Sequence, residues 1–192
     1  MDINKIIDSN ISEHFELINE LDNKIKKDIA SVGKLIAQSI ASGSTIFWCG
    51  NGGSASDSLH LSAELVGRFK NNRKPLRSIT LNSDVAVLTC ISNDFEYADI
   101  FSRQIEGLAD QNDVLVGIST SGKSANIINA FKKANDINVK TIALLGKGGG
   151  DLISISQKSI LVPSYSTARI QECHIMIGHI ICEIIEKELG LN

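Results

Sequence analysis

Positive charge is not in surplus in this chain: 19 Lys and Arg face 22 Asp and Glu, a net charge of −3 over 192 residues. That balance gives no electrostatic footprint for nucleic acid or for an anionic membrane surface. No apolar run reaches the length needed to span a bilayer. The opening MDINKIIDSNISEHFELINEL is polar and amphipathic, unlike a secretory signal, so a cytoplasmic protein is expected. Cysteine is sparse: Cys49, Cys90, Cys173 and Cys182 form no CxxC pair. All four sit in apolar runs and read as reduced core residues, not as a disulfide frame. There is no low-complexity tract, no solenoid-period repeat and no interdomain linker, so residues 1–192 read as one domain. Basic residues cluster only at 70–77, where a solvated loop is expected.

What is present is organised around Thr45 to Val66, TIFWCGNGGSASDSLHLSAELV. An apolar strand runs into Gly50-Asn51-Gly52-Gly53-Ser54 and then into a helical pattern. A Gly-rich turn at a helix N-terminus is suited to binding anionic or hydroxyl groups through free backbone N–H groups. Asn51 and Ser54 are candidates for sugar hydroxyls. His60 and Glu64 stand four residues apart, on one helix face.

Ahead of this lie two amphipathic helices, 3–22 and 24–42, forming an N-terminal segment over 1–43. They can cover a sheet, and the first stripe can instead pack on another subunit, which is the reading preferred here. After it come strands near 77–81, 113–118, 141–145 and 159–162. Helices are expected at 84–91, broken by Ser92-Asn93-Asp94, at 100–108, at 124–135 and at 167–189. Alternating strand and helix argue an α/β fold: a doubly wound parallel sheet with helices on both faces. The turns at 50–54 and 119–124 then share one sheet edge, beyond the carboxyl ends of the strands.

The second turn reads Ser119-Thr120-Ser121-Gly122-Lys123-Ser124. Its hydroxyls and the following helix N-terminus point to a phosphate monoester. The GxxxxGK[ST] spacing is absent, so it is no P-loop. Ser121 or Ser124 can equally serve as a plain N-cap. The last helix carries Gln171, His174 and His179. Gln171 and His179 are eight residues apart, roughly 12 Å along a regular helix. Within one chain that separation is long for one small site; a second subunit or a frayed helix would shorten it. His14 reads as a solvated helix residue.

Together CGNGGSASDSLHLSAELVGRF, SNDFEYADIFSRQIE, DVLVGISTSGKSANII, LLGKGGG and ARIQECHIMIGHIICEIIE resemble the phosphoheptose isomerases of the sugar-isomerase (SIS) domain family. The resemblance runs from about residue 40 to 189. It implies a three-layer α/β sandwich with a mostly parallel sheet, a homotetramer and active sites at subunit interfaces. It implies conversion of sedoheptulose 7-phosphate to D-glycero-D-manno-heptose 7-phosphate, the first step towards nucleotide-activated heptose for lipopolysaccharide or capsule. By position, Glu64 and His179 match the acid/base pair. His60, Glu64, Gln171 and His179 match ligands of one zinc per subunit. Asn51, Gly52, Gly53, Asn93, Asp94, Ser119, Thr120, Ser121, Ser124 and Gln171 match substrate contacts. Ala168 departs from members with an acidic residue there, and touches no implied role.

Two other classes compete. One is a non-catalytic partner-binding regulator resembling replication initiator-associating proteins, which lack counterparts of Glu64 and His179. The other is a sensor of, or an isomerase for, a different phosphosugar. Retention of both residues favours the enzyme.

Overall fold

A computed structural model describes residues 2–191. Three strands are near-continuous apolar runs buried on both faces: β1 (Ile46–Gly50), β3 (Val114–Ser119) and β4 (Lys140–Leu145). Shorter edge strands, β2 (Ser78–Thr80) and β5 (Lys158–Leu161), complete a five-stranded sheet of order β2-β1-β3-β4-β5. Every pairing is parallel. From β1 the chain first steps outward to β2, then returns to β3 and steps the other way. The crevice at that reversal lies beyond the carboxyl ends of β1 and β3.

The helices are α1 (Ile3–Asn19), α2 (Asn23–Ala41), α3 (Gly53–Val66) and α4 (Val85–Asp94). They continue with α5 (Ser102–Leu108), α6 (Ala125–Asp136), the single turn α7 (Leu152–Ile155) and α8 (Thr167–Glu188). Residues α2, α3 and α8 bury against one sheet face, with Ile36, Leu61, Leu65, Ile177 and Ile181 on Trp48, Val116 and Leu144. On the other face, α5 and α6 place Ile105, Ile127 and Phe131 on Phe47, Leu115 and Ala143. The expected three-layer α/β sandwich is what forms.

Several expectations need correction. Residues 92–94 do not break a helix; α4 continues through them, capped at its start by Asp84, whose carboxylate accepts from Val87 N at 3.0 Å. A 3-10 turn at Tyr97–Asp99 leads into α5, and α7 carried too short a pattern to be read. The basic stretch at 70–77 is not simply solvated. The Arg73 side chain is 2 % exposed and pairs with Glu186 at 2.7 Å. Cys90 is exposed rather than in the core, whereas Cys49, Cys173 and Cys182 are buried and free. His14 is not merely solvated: its Nδ1 lies 2.7 Å from a Glu172 carboxylate oxygen. Of the two N-terminal helices, α2 covers the sheet, while α1 buries only Leu17.

Candidate active site

The site begins with the turn between β1 and α3. Gly52 sits at φ +57° and ψ −123°, a conformation closed to residues with a Cβ. Asn82 fixes the end of the strand, accepting from Gly50 N at 3.1 Å and donating to Gly50 O at 3.0 Å. Gly53 opens α3 against Gln171: a Cβ there would meet the Gln171 amide nitrogen at 2.6 Å. Ser54 is buried beneath the turn, as little exposed as Ser119 among the predicted substrate contacts.

Helices α3 and α8 pack side by side and run in the same direction. Gly53 meets Gln171, and Leu61 meets Gly178 about two turns further on. That register brings His179 to His60, although 119 residues separate them in the chain; their Nε2 atoms lie 3.3 Å apart. His60 Nε2 is also 3.1 Å from Glu64 Oε1, the i,i+4 contact expected on one helix face. Ligand atoms of His60, Glu64 and His179 all lie within 4.8 Å of one another. The ring of Phe69 stacks on His179, centroids 5.5 Å apart. Two facing imidazole nitrogens can share only one proton, so one donates and the other accepts. The cluster therefore offers a carboxylate beside an imidazole that can hold or release a proton. Two imidazole nitrogens and a carboxylate oxygen also make a donor set suited to a divalent transition cation. Gln171 shares the α3-facing side of α8 with His179 but contacts the helix start, two turns away.

The turn after β3 lies on the same edge, as expected. Ser119 Oγ accepts from Gly122 N at 3.1 Å and approaches Ser124 Oγ at 3.4 Å. Ser121 Oγ accepts from Lys123 N at 3.2 Å. Ser124 occupies the N-cap position of α6 without a side-chain cap bond. Thr120 is half-buried on the same loop. Gly122 has φ +65°, and a Cβ on it would lie 1.8 Å from Gly149 O. The Gly146–Gly150 loop thus packs directly beneath the serine turn.

Asn93 and Asp94 are exposed at the end of α4, with Asn93 Nδ2 donating to Asp94 Oδ1 at 2.8 Å. Three residues on, the Tyr97 hydroxyl donates to Asn51 Oδ1 at 2.9 Å, which draws this rim over the first turn.

Sequence reasoning passed over four groups. Asn126 pairs with Asn51 through two hydrogen bonds. Tyr97 joins them. Arg73, besides its pair with Glu186, donates to Glu64 O at 2.8 Å and so holds the helix end that carries the carboxylate. Asp57 stands one turn before His60. Burial pushes its carboxyl up, His60 draws it back down, and its Oδ2 is buried with no partner. Only Asp57 left a sequence signal, its i,i+3 spacing to His60; the others find their partners through the fold. Behind the cluster, burial first and then the Glu64 and Glu186 carboxylates push the Cys182 thiol up to about 12, so it is no nucleophile.

The cluster lies on an open shelf. A polar cavity of about 530 Å³, lined by Gln111, Asn112, Asn138 and Lys140 among others, lies at the amino ends of the strands, away from the chemistry.

Comparison with known proteins agrees with this geometry. The SIS domain family matches residues 11–146. The phosphoheptose isomerase of Campylobacter jejuni is 45% identical over 182 residues, 95% of this chain and 97% of that protein. The solved phosphoheptose isomerase of Francisella tularensis superposes with a TM-score of 0.94 at 34% identity, covering 97% of this chain and all of the other. That of Neisseria gonorrhoeae gives 0.92 at the same identity and coverage.

Proposed function

The chain belongs to the SIS domain family, among its phosphoheptose isomerases, and from that footing we propose how its residues perform the reaction. It is an aldose–ketose isomerase that converts sedoheptulose 7-phosphate to D-glycero-D-manno-heptose 7-phosphate.

Isomerisation moves a proton between C1 and C2 through an enediol and needs a base and an acid. Glu64 removes a proton from C1 of the ketose, and the C–H pair becomes the C1–C2 double bond. The C2 carbonyl oxygen takes a proton from His179 in its imidazolium form. Glu64 then returns its proton to C2, His179 takes the C1 hydroxyl proton, and C1 becomes the aldehyde carbon. Both side chains end as they began. The serine turn, Ser119, Thr120, Ser121 and Ser124, takes the phosphate with the α6 N-terminus. Asn51, Gly52, Gly53, Ser54, Asn93, Asp94 and Gln171 take sugar oxygens.

The donor set also fits zinc, one ion per subunit, with His60, Glu64 and His179 as the converged ligands; Gln171, two turns away in this chain, would join as the fourth only from another subunit or after α8 rearranges. A zinc ion there would supply Lewis acidity to the carbonyl oxygen or hold the imidazoles in place. Glu64 serves as base only while its carboxylate is free of metal.

An exposed apolar stripe on α1 and an open site in the single chain support a homotetramer with sites at subunit interfaces. The described residues contain no helix long and apolar enough to cross a membrane; together with charge and cysteine usage this supports a cytoplasmic enzyme. Its aldose product suits supply of heptose to lipopolysaccharide or capsule. The partner-binding alternative has no observation in its favour.

The observation that carries this reading is the convergence of Glu64 with His179, 115 residues apart in the chain (179 − 64). Glu64→Gln and His179→Gln should each lower kcat by about 10³-fold with the fold intact. The measurement is NMR of the aldose formed from sedoheptulose 7-phosphate. Near wild-type turnover by Glu64→Gln would remove the mechanism.

A further inference from the structure

We propose that Asn126 is a positioning residue for the substrate: it locks the Asn51 carboxamide so that one N–H is left for a sugar oxygen. The inference rests on the reading of Asn51 as a substrate contact.

A backbone group sets the orientation of the pair. Ile127 N–H donates to the Asn126 side-chain oxygen at 3.0 Å, and a backbone N–H can only donate. That oxygen is therefore the acceptor, and the orientation of the Asn126 amide follows. Its other contact is Asn51 Nδ2, which donates to it at 2.9 Å. Asn126 Nδ2 in turn donates to Asn51 Oδ1 at 2.8 Å. The Tyr97 hydroxyl donates to the same Asn51 oxygen at 2.9 Å. Turning the Asn51 amide over would set nitrogen against nitrogen and oxygen against oxygen at Asn126, and the Tyr97 hydroxyl would have to accept instead of donate. The oxygen of Asn51 has both lone pairs taken. Its nitrogen has one N–H committed and one without a partner among the described residues.

Asn126 is 2 % exposed, on the first turn of α6, while Asn51 is half-buried, so solvent reaches the pair only from the Asn51 side. The bond also crosses the crevice. It ties the β1 turn, which carries Asn51, Gly52 and Gly53, to the helix that follows the serine turn. One buried amide thus sets both the polarity of Asn51 and the spacing between the two substrate loops. A donor already oriented loses less freedom when substrate arrives. This arrangement fits a hydroxyl or carbonyl oxygen at Asn51, and disfavours a group that can only donate there.

The test is a double-mutant cycle on the whole enzyme with sedoheptulose 7-phosphate. Asn126→Asp retains the acceptor for Ile127 N but sets a charged oxygen in place of the donor to Asn51, so it breaks the lock with little change of shape. KM should rise about ten-fold in Asn51→Ala and in Asn126→Asp, with kcat changed less than about three-fold. Tyr97→Phe should raise KM about three-fold. On an Asn51→Ala background Asn126→Asp should raise KM much less than it does alone, because its effect on the sugar contact runs through Asn51. Thermal unfolding of each variant reports separately on folding. A fully additive cycle would overturn the inference and leave Asn126 as a structural residue. So would wild-type KM in Asn126→Asp, or a loss confined to kcat. Wild-type KM in Asn51→Ala would remove the substrate role of Asn51, and this inference with it, while the acid/base reading of Glu64 and His179 stood apart.

Discussion

Gly122 has no room for a side chain: its φ is +65°, and the Gly149 carbonyl occupies the place where a Cβ would stand. Alanine there costs about 1–2 kcal/mol for the left-handed backbone alone, and the clash adds to it. Gly122→Ala should lower the unfolding midpoint and weaken phosphosugar binding, read as a KM rise on the order of ten-fold. His174 raises a different issue. It is fully buried; its Nε2 lies 3.1 Å from Leu145 O, and its Nδ1 has no partner. Burial lowers its pKa to about 4, with the Leu145 hydrogen bond opposing the shift. In the unfolded chain the imidazole protonates near its ordinary value of about 6.5. Between those values the unfolded state binds more protons, so stability is complete above the window and lost as pH falls through it. Urea unfolding should show a loss of about 2 kcal/mol from pH 7 to pH 5 attributable to this residue. His174→Gln should flatten that slope. The spacing of His60 and Glu64 was legible because helix geometry is local. The solitude of His174 Nδ1 was not, because it depends on which surfaces close over it.

At the scale of elements, the segment joining α3 to β2 is held by one buried pair. Glu186, 1 % exposed near the end of α8, accepts from Arg73 Nε and from the backbone N–H groups of Phe69 and Lys70. Burial alone would raise its carboxyl; Arg73 and the two N–H groups outweigh it and hold the group below the usual range. Arg73 reaches on to the carbonyls of Glu64 and Leu65. The clasp therefore orients the helix end bearing Glu64 and holds Phe69 on His179. Glu186→Ala leaves a buried guanidinium unpaired and should cost about 3–5 kcal/mol in urea unfolding. A loss under about 1 kcal/mol would mean the pair is dispensable. Reading residues 70–77 as a solvated loop failed here for a physical reason. Arg73 and Glu186 are 113 residues apart, and a charge looks solvated until its partner is known. Strands β1, β3 and β4 were legible because a strand buried on both faces must be apolar throughout.

For the whole molecule, α1 is the unresolved balance. Ile3, Ile11 and Phe15 are 71 %, 64 % and 66 % exposed, with Ile6 and Ile7 beside them. The helix is tethered to α8 by Arg169, which donates to Asn10 O at 2.7 Å, and buries little else. Apolar area left in water at this density is disfavoured, and a second copy of the chain would cover it. If the proposed tetramer forms through α1, Ile11→Glu combined with Phe15→Glu should lower the sedimenting mass, and turnover should fall with it. A wild-type chain that sediments as a fully active monomer would refute the interface.

The sequence by itself determined the strand–turn–helix order, the pairing of His60 with Glu64, and the hydroxyl-rich turn, because each depends on neighbours within a few residues. The tertiary structure alone decided that His179 meets that pair, that Asn126 orients Asn51, and that Arg73 is buried. Those contacts exist only once α8 lies along α3 and β1 lies beside β3. Hydrophobic burial sets that packing, and residue spacing along the chain carries no direct record of it.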